Sequence, residues 1–297
     1  MKLKIFKTLW GHEGTIDDAI ATACADHFDG IEGQPPANVD KRVEFSQKLQ
    51  AAGLDYIAEI CTAGSYVPNR QATSAEHLRS LAERAEKAME CAPLFLTVIA
   101  GCDAWPVNQS VDFFGEALAL AEKLSVTASF ETHRSRPFFN PWTTRDILNQ
   151  LPALKLTCDF SHWCVVCERL VSTEPEVLAL CAERAHHIHA RVGYDQGPQV
   201  PNPAAPEYTA ILEAHEDWWR RIWISQFTRG MAVSTMTPEF GPDGYLQCRP
   251  FTCEPVADLV EINLWMARRQ WKNFQDSFEG EYFAGSVKAE FLRSMTQ

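Results

Sequence analysis

Apolar residues recur along this chain in a fixed order: a short apolar run, a polar or Gly-rich junction, then a longer segment with helical periodicity. The runs predict eight strands, at residues 2–10, 28–33, 54–60, 94–100, 126–131, 154–159, 186–192 and 231–239. The periodic segments predict eight helices, at residues 15–27, 39–52, 74–91, 111–124, 142–150, 174–184, 207–229 and 256–278. Pro141 suits the first turn of the fifth helix. Leu259, Ile262, Leu264, Trp265 and Trp271 give the last helix an apolar set able to pack on a sheet.

Strands alternating with helices imply parallel pairing through right-handed crossovers. Eight such units predict a (β/α)₈ TIM barrel, whose usual size of roughly 250 residues suits this chain. An open doubly wound sheet would usually carry G-x-G-x-x-G after its first strand, and Trp10-Gly-His-Glu-Gly14 is not that motif. No Gly/Ser linker, charge block or low-complexity stretch divides the sequence. A single domain over 1–297 is expected, ending in helix 256–278 and a short tail.

Under that architecture the ionisable residues acquire meaning. Glu131 closes strand five, Asp159 closes strand six, His189 lies late in strand seven, and Glu239 follows Pro238 at the end of strand eight. C-terminal strand ends of a barrel face one mouth, where active sites form. Three carboxylates and an imidazole converging there would repel one another unless a cation neutralised them. Oxygen ligands with one nitrogen suit a divalent ion, Mn²⁺, Mg²⁺ or Co²⁺, with Zn²⁺ left open.

Other groups fall in the same loops. His162, three residues after Asp159, can reach a substrate hydroxyl or carbonyl, and His133, Arg134 and Arg191 can bind hydroxyl or carboxylate groups. Phe138, Trp142, Trp163 and Tyr245 are candidates for the aromatic wall that sugar sites use. His187 shares a strand face with His189 one layer deeper, as a packed residue, and His12 and Glu59 could complete the pocket. Trp218, Trp219 and Trp223 read as core, and Cys164-Val-Val-Cys167 as buried residues of a helical turn, because no second CxxC completes a zinc site.

Composition narrows the partners. The net charge of -12 opposes a nucleic-acid surface, which needs clustered Lys and Arg, and suits a small-molecule substrate beside a bound cation. No apolar run reaches the roughly 20 residues a membrane span needs or forms an export signal. Ten cysteines are therefore read as reduced thiols in a cytoplasmic protein, with homo-oligomerisation left open.

The residues Glu131, Asp159-Phe-Ser-His162, His187-Ile-His189 and Pro238-Glu239-Phe240 together resemble the xylose isomerase-like TIM barrel superfamily. They are most similar to its sugar phosphate isomerase/epimerase branch, with the ketose 3-epimerases as better-known members. The resemblance spans roughly residues 4–278. It implies that Glu131, Asp159, His189 and Glu239 bind the metal and that His162 contacts substrate. The expected activity is a sugar isomerase or epimerase in which Glu131 and Glu239 exchange a proton beside a carbonyl through a metal-stabilised enediolate. A lyase or dehydratase on a keto-sugar or keto-inositol is the alternative, and an apurinic endonuclease a third class that the charge opposes. Arg191 stands two residues past His189, whereas ketose 3-epimerases place their substrate arginine several residues further on.

Overall fold

A computed structural model describes residues 1–242 and 244–278. Eight parallel strands close a barrel in chain order: β1 (Lys2–Thr8), β2 (Gly30–Gly33), β3 (Asp55–Cys61), β4 (Leu96–Ile99), β5 (Ala128–Glu131), β6 (Lys155–Cys158), β7 (Ala185–His189) and β8 (Val233–Thr237). Closure comes from β8 pairing with β1, Val233 opposite Lys2. The expected barrel is the observed one.

Nine helices are described: α1 (Ile16–Ala25), α2 (Val39–Ala52), α3 (Ser74–Met89), α4 (Val107–Lys123), α5 (Pro141–Leu148), α6 (Ser161–Cys167), α7 (Pro175–Arg184), α8 (Thr209–Thr228) and α9 (Leu259–Phe278). Their starts follow local chemistry. Thr15 and Thr73 form reciprocal capping boxes with Asp18 and Glu76, and Asn38 and Asn140 accept from first-turn N–H groups. Gly53 ends α2 in the left-handed region at φ 69°, which a side chain would strain.

Two differences from the sequence expectation have physical causes. Helix α4 begins a turn early, at Val107, because Pro106 stands at its N-cap while the polar first turn carries little apolar signal. Helix α6, not among the eight expected helices, follows β6 directly and carries the expected helical turn of Cys164 and Cys167, both free thiols, with Cys164 buried and Cys167 only half-buried. Seven residues are too few to show a helical period. The tail beyond 278 lies outside the described residues.

The main core lies between strands and helices and includes Trp218, Trp219 and Trp223 of α8. Inside the barrel, Phe6, Ile57 and Phe95 form a separate apolar floor. Above it the interior turns polar. Thr157 donates to Ser129 Oγ at 2.8 Å, and Glu32, Glu59, Thr97 and His187 are buried nearby. An apolar floor under a polar layer aims the ionisable groups at the C-terminal mouth. Among the described residues no helix is long and apolar enough to cross a membrane.

Candidate metal centre at the barrel mouth

Period-two alternation along β5 and β7 sends Glu131 and the pair His187, His189 inward, as expected from their register. Asp159 is the first residue past β6. Thr132 fixes it from both sides: the Asp159 N–H donates to Thr132 Oγ1 at 2.8 Å, and that hydroxyl donates to the Asp159 carbonyl at 2.9 Å. Pro238 leads out of β8 and presents Glu239. Ligand atoms of Glu131, Asp159, His189 and Glu239 all lie within 4.8 Å of one another, each residue buried. The four residues expected to meet do meet.

Their hydrogen bonding fits a cation. His189 Nδ1 lies 3.1 Å from Glu239 Oε2 and 3.4 Å from Glu131 Oε1, yet makes no aligned hydrogen bond to either. Glu131 Oε2 is likewise buried without a partner. Orphaned acceptors are costly in a protein interior, by about 1–3 kcal/mol each, so a lone-pair nitrogen and a carboxylate oxygen converging this way suit a metal ion.

A fifth residue, Glu32, was not singled out in the sequence. It is 2% exposed and accepts from both histidines, lying 3.0 Å from His187 Nε2 and 3.1 Å from His189 Nε2. Burial opposes its ionisation, but the facing histidines outweigh that and hold the carboxyl well below its usual range. An ionised Glu32 accepts the Nε2–H of His189, so the proton a metal ion would displace is the one on Nδ1, which faces the other carboxylates. His187, fixed also by Thr235 Oγ1 at 2.8 Å, is the packed residue it was expected to be. The Glu32–His187–His189 cluster is thus satisfied internally.

Arg191 crosses the site. Its Nη2 pairs with Asp159 Oδ2 and lies 2.8 Å from His162 Nε2, and its Nε donates to Ser161 Oγ at 3.1 Å. Its Nη1 is 3.4 Å from Glu239 Oε2. His162 Nε2 sits 3.7 Å from Glu131 and 3.6 Å from Asp159, beside the proposed ion. Burial, then neighbouring His133, Arg191 and Arg134, push His162 well below its usual pKa, so it is neutral. His133 packs on it with ring centres 4.1 Å apart. Burial, then repulsion from Glu239 and Glu131, raises Glu59 to about 8, so it is a carboxylic acid at neutral pH.

The aromatic wall differs from the expected one. Phe138 is buried against Phe114, ring centres 4.5 Å apart, and Trp163 is fully buried with its indole N–H donating to the Phe138 carbonyl at 2.8 Å. Trp142 is on the outer side, 39% exposed, bonded to Glu174 and covered by Arg169. None of these three lines the inner cavity, because the β5 and β6 loops turn back onto the helix layer. Of the four expected aromatics only Tyr245 lines it, joined by Trp10 and Tyr66, with Ile99, Glu131, His133, Arg191 and Glu239. His12 lies in the separate outer cleft between β1 and α9.

The inner cavity holds about 10 Å³, room for one water or ion and too little for a sugar. Tyr66 is placed by Arg136, a fully buried guanidinium whose donors reach the carbonyls of Thr62, Gly101, Ser65 and Tyr66. Sequence reading missed Arg136 as well.

No protein-family profile and no curated protein sequence matches the chain. Solved structures do. An L-ribulose 3-epimerase superposes with TM-score 0.64 at 12% identity, covering 98% of each chain. A D-allulose 3-epimerase from Methylomonas sp., in complex with D-allulose, gives 0.59 at 11%, covering 92% of this chain and 97% of its own. The IolI protein with a bound zinc atom gives 0.59 at 15%, covering 93% and 97%. At such identities the likeness is one of fold, the closed (β/α)₈ barrel.

Proposed function

We propose that the chain is a divalent-metal-dependent isomerase or epimerase that moves a proton on the carbon beside a sugar carbonyl. One observation carries the reading: four buried ligand groups from the ends of β5, β6, β7 and β8 converge with an unpartnered imidazole nitrogen among them. Glu131, Asp159, His189 through Nδ1, and Glu239 would hold the ion. When bound, it supplies electrophilic stabilisation of the negative charge that develops on the carbonyl oxygen.

The chain's own residues supply the rest. Glu131 and Glu239 approach the centre from β5 and β8, nearly opposite staves of the barrel, so one can take a proton from one face of a carbon and the other return it. Glu32 keeps His189 in the tautomer that leaves Nδ1 free. His162 and His133 offer neutral imidazoles to substrate hydroxyls, and Arg191 offers a fixed positive charge. Trp10, Tyr66 and Tyr245 shut out water, and at least one must move for a sugar to enter. Ketose 3-epimerases among the structural neighbours support this reading.

Elimination from a keto-sugar would use the same groups, with the carboxylate that takes the α-proton returning it to the departing hydroxyl, which leaves as water. A protein of Bacillus anthracis described as a probable 3-DHS dehydratase shares the fold at TM-score 0.54 and 13% identity. An endonuclease IV from Thermus thermophilus also shares it, at 0.53, but a nucleic-acid substrate sits poorly with a net charge of -12.

The test is incubation of the Mn²⁺-loaded protein with a panel of ketoses and 3-keto-glycosides in deuterated water, read by NMR and mass. Incorporation at one carbon without loss of water is the expected result, abolished in Glu131→Gln and Glu239→Gln. Near-normal turnover in both folded variants would rule the scheme out, and loss of water would transfer the assignment to elimination.

A further inference from the structure

In a (β/α)₈ barrel the outward side chains of the strands are normally covered by apolar contact with the helices. Along β1 that layer is open. Phe6 turns inward to the barrel floor, so Lys7 turns outward by period-two alternation, into the seam between α1 and α9. The seam is a cleft of about 680 Å³, with Lys7, Thr22, Asp26 and Phe28 on one side and Leu259 and Asn263 on the other. Roughly 300–1,000 Å³ is the size of small-molecule sites, a range the cleft falls in and the inner cavity, at about 10 Å³, does not.

The two spaces share a wall. Trp10 lines both, whereas Tyr66 and Tyr245 line the inner cavity but not the cleft. Pro238 and Leu246 border the cleft, each next in sequence to a residue of the cavity, Glu239 and Tyr245. Trp10 stands in a turn closed by the His12 N–H donating to the Leu9 carbonyl at 3.0 Å, with Gly11 at φ 77° in its third position. The ring lies against Gly241, where a methyl would stand 2.2 Å from it. Gln199 holds Gly241 in place, accepting from its N–H at 2.9 Å and donating to its carbonyl at 3.3 Å. The ring therefore has no room to advance on Gly241, but it has room in the cleft it already borders, reached by rotation about its own side-chain bonds.

The cleft's polar groups suit hydroxyls. Asp18 and Asp258 are engaged as helix caps, accepting from Thr15 N–H and from Val260 and Glu261 N–H. The half-buried Lys7 ammonium makes no hydrogen bond or ion pair among the described residues, and Asp26 lies near enough to favour its charge. A hydroxyl can accept from that ammonium and donate to that carboxylate, whereas an anion meets Asp26 and a cation meets Lys7. Trp10 and Phe28 add ring faces on which the C–H face of a sugar packs.

We propose that the outer cleft is the second half of the substrate site and takes a sugar unit attached to the reacting sugar, with the Trp10 ring swung aside between them. The inference rests on the function proposed above and names its substrate class as neutral glycosides in place of free monosaccharides.

The experiment compares D-fructose with three ketose disaccharides that carry a second sugar at O3, O4 or O6 of fructose: turanose, lactulose and isomaltulose. Each is titrated calorimetrically into Mn²⁺-loaded wild-type protein and its Thr22→Trp and Lys7→Met variants, with deuterium exchange followed in parallel. Thr22→Trp fills the cleft and Lys7→Met removes its free donor, and neither touches the metal centre. At least one disaccharide is expected to bind tenfold tighter than fructose. That ratio should fall toward one in Thr22→Trp and at least threefold in Lys7→Met, with fructose binding unchanged within twofold. Thermal melting checks both folds, and Lys7→Met carries the test alone if Thr22→Trp does not fold. Three disaccharides no tighter than fructose, a preference that survives a folded variant, or fructose binding weakened equally would each overturn the assignment. Deuterium exchange into fructose without disaccharide preference leaves the isomerase reading standing and sinks this inference alone. No binding of any of the four to metal-loaded protein sinks both.

Discussion

Replacing Glu32 by Gln probes the centre without touching any of the four residues proposed to hold the ion. The carboxylate accepts from both His187 and His189, at 3.0 and 3.1 Å, from a position 2% exposed. A neutral amide keeps the volume, but loses the charge that favours a proton on Nε2 of His189. Its oxygen can serve one histidine while its NH₂ opposes the other. Losing a carboxylate partner behind a metal-binding histidine typically costs 10–100-fold in metal affinity, about 1.4–2.7 kcal/mol. Glu32→Gln is therefore expected to weaken Mn²⁺ or Zn²⁺ binding by that factor, measured by competition against a chromogenic chelator at pH 7.5. Circular dichroism and thermal melting of the metal-free variant establish that it is folded. Glu59→Gln, a neutral group replaced by a neutral amide, is the control and should change affinity less than threefold. A folded Glu32→Gln with wild-type metal affinity would refute the reasoning.

Five further outcomes are expected. In the metal-free protein, burial opposes protonation of His189, but Glu239, Glu32 and Glu131 outweigh it and raise its pKa well above the usual value. Metal binding must displace that proton, so affinity should tighten about tenfold per pH unit from pH 6 to 8, with one proton released on calorimetry in buffers of different ionisation enthalpy. By the same raised pKa, His189 adds stability to the metal-free fold that is fully present below its unfolded value near 6.5 and lost as pH climbs through the folded value. A melting temperature of metal-free protein that rises steadily from pH 6 to 9 would contradict this. Arg136→Met leaves four carbonyls without their donor and should cost about 3 kcal/mol or more in urea unfolding, with kcat falling as Tyr66 loses its anchor. Gly241→Ala would place a methyl 2.2 Å from the Trp10 ring, so a near-UV dichroism change and a loss of about 1–3 kcal/mol should accompany it. Trp142→Ala, on the outer face, should leave kcat/KM within twofold, and a tenfold loss would contradict its placement.

The barrel and the meeting of Glu131, Asp159, His189 and Glu239 were legible because both depend on period: an acidic or imidazole group ending a strand has one place to go once the staves close. Glu32 was not legible. Its strand has four residues, and its partners lie 155 and 157 positions away, brought opposite only by closure. Arg136 was not legible either, because the carbonyls that bury it come from the turns after β3 and β4. Phe138 and Trp163 were misplaced for a related reason. Proximity to a strand end does not say whether a loop residue faces the mouth or folds back on the helices, and both fold back. Trp10 and Tyr66 occupy the wall because their loops lean across the mouth, which no local pattern records.

Anomalous diffraction from a crystal grown with Mn²⁺ tests the central claim most directly. One peak is expected at about 2.0–2.4 Å from Glu131, Asp159, Glu239 and Nδ1 of His189, with Nε2 of that ring still bonded to Glu32. No peak among these residues, or one held instead by Glu131, His133 and His162, would contradict it.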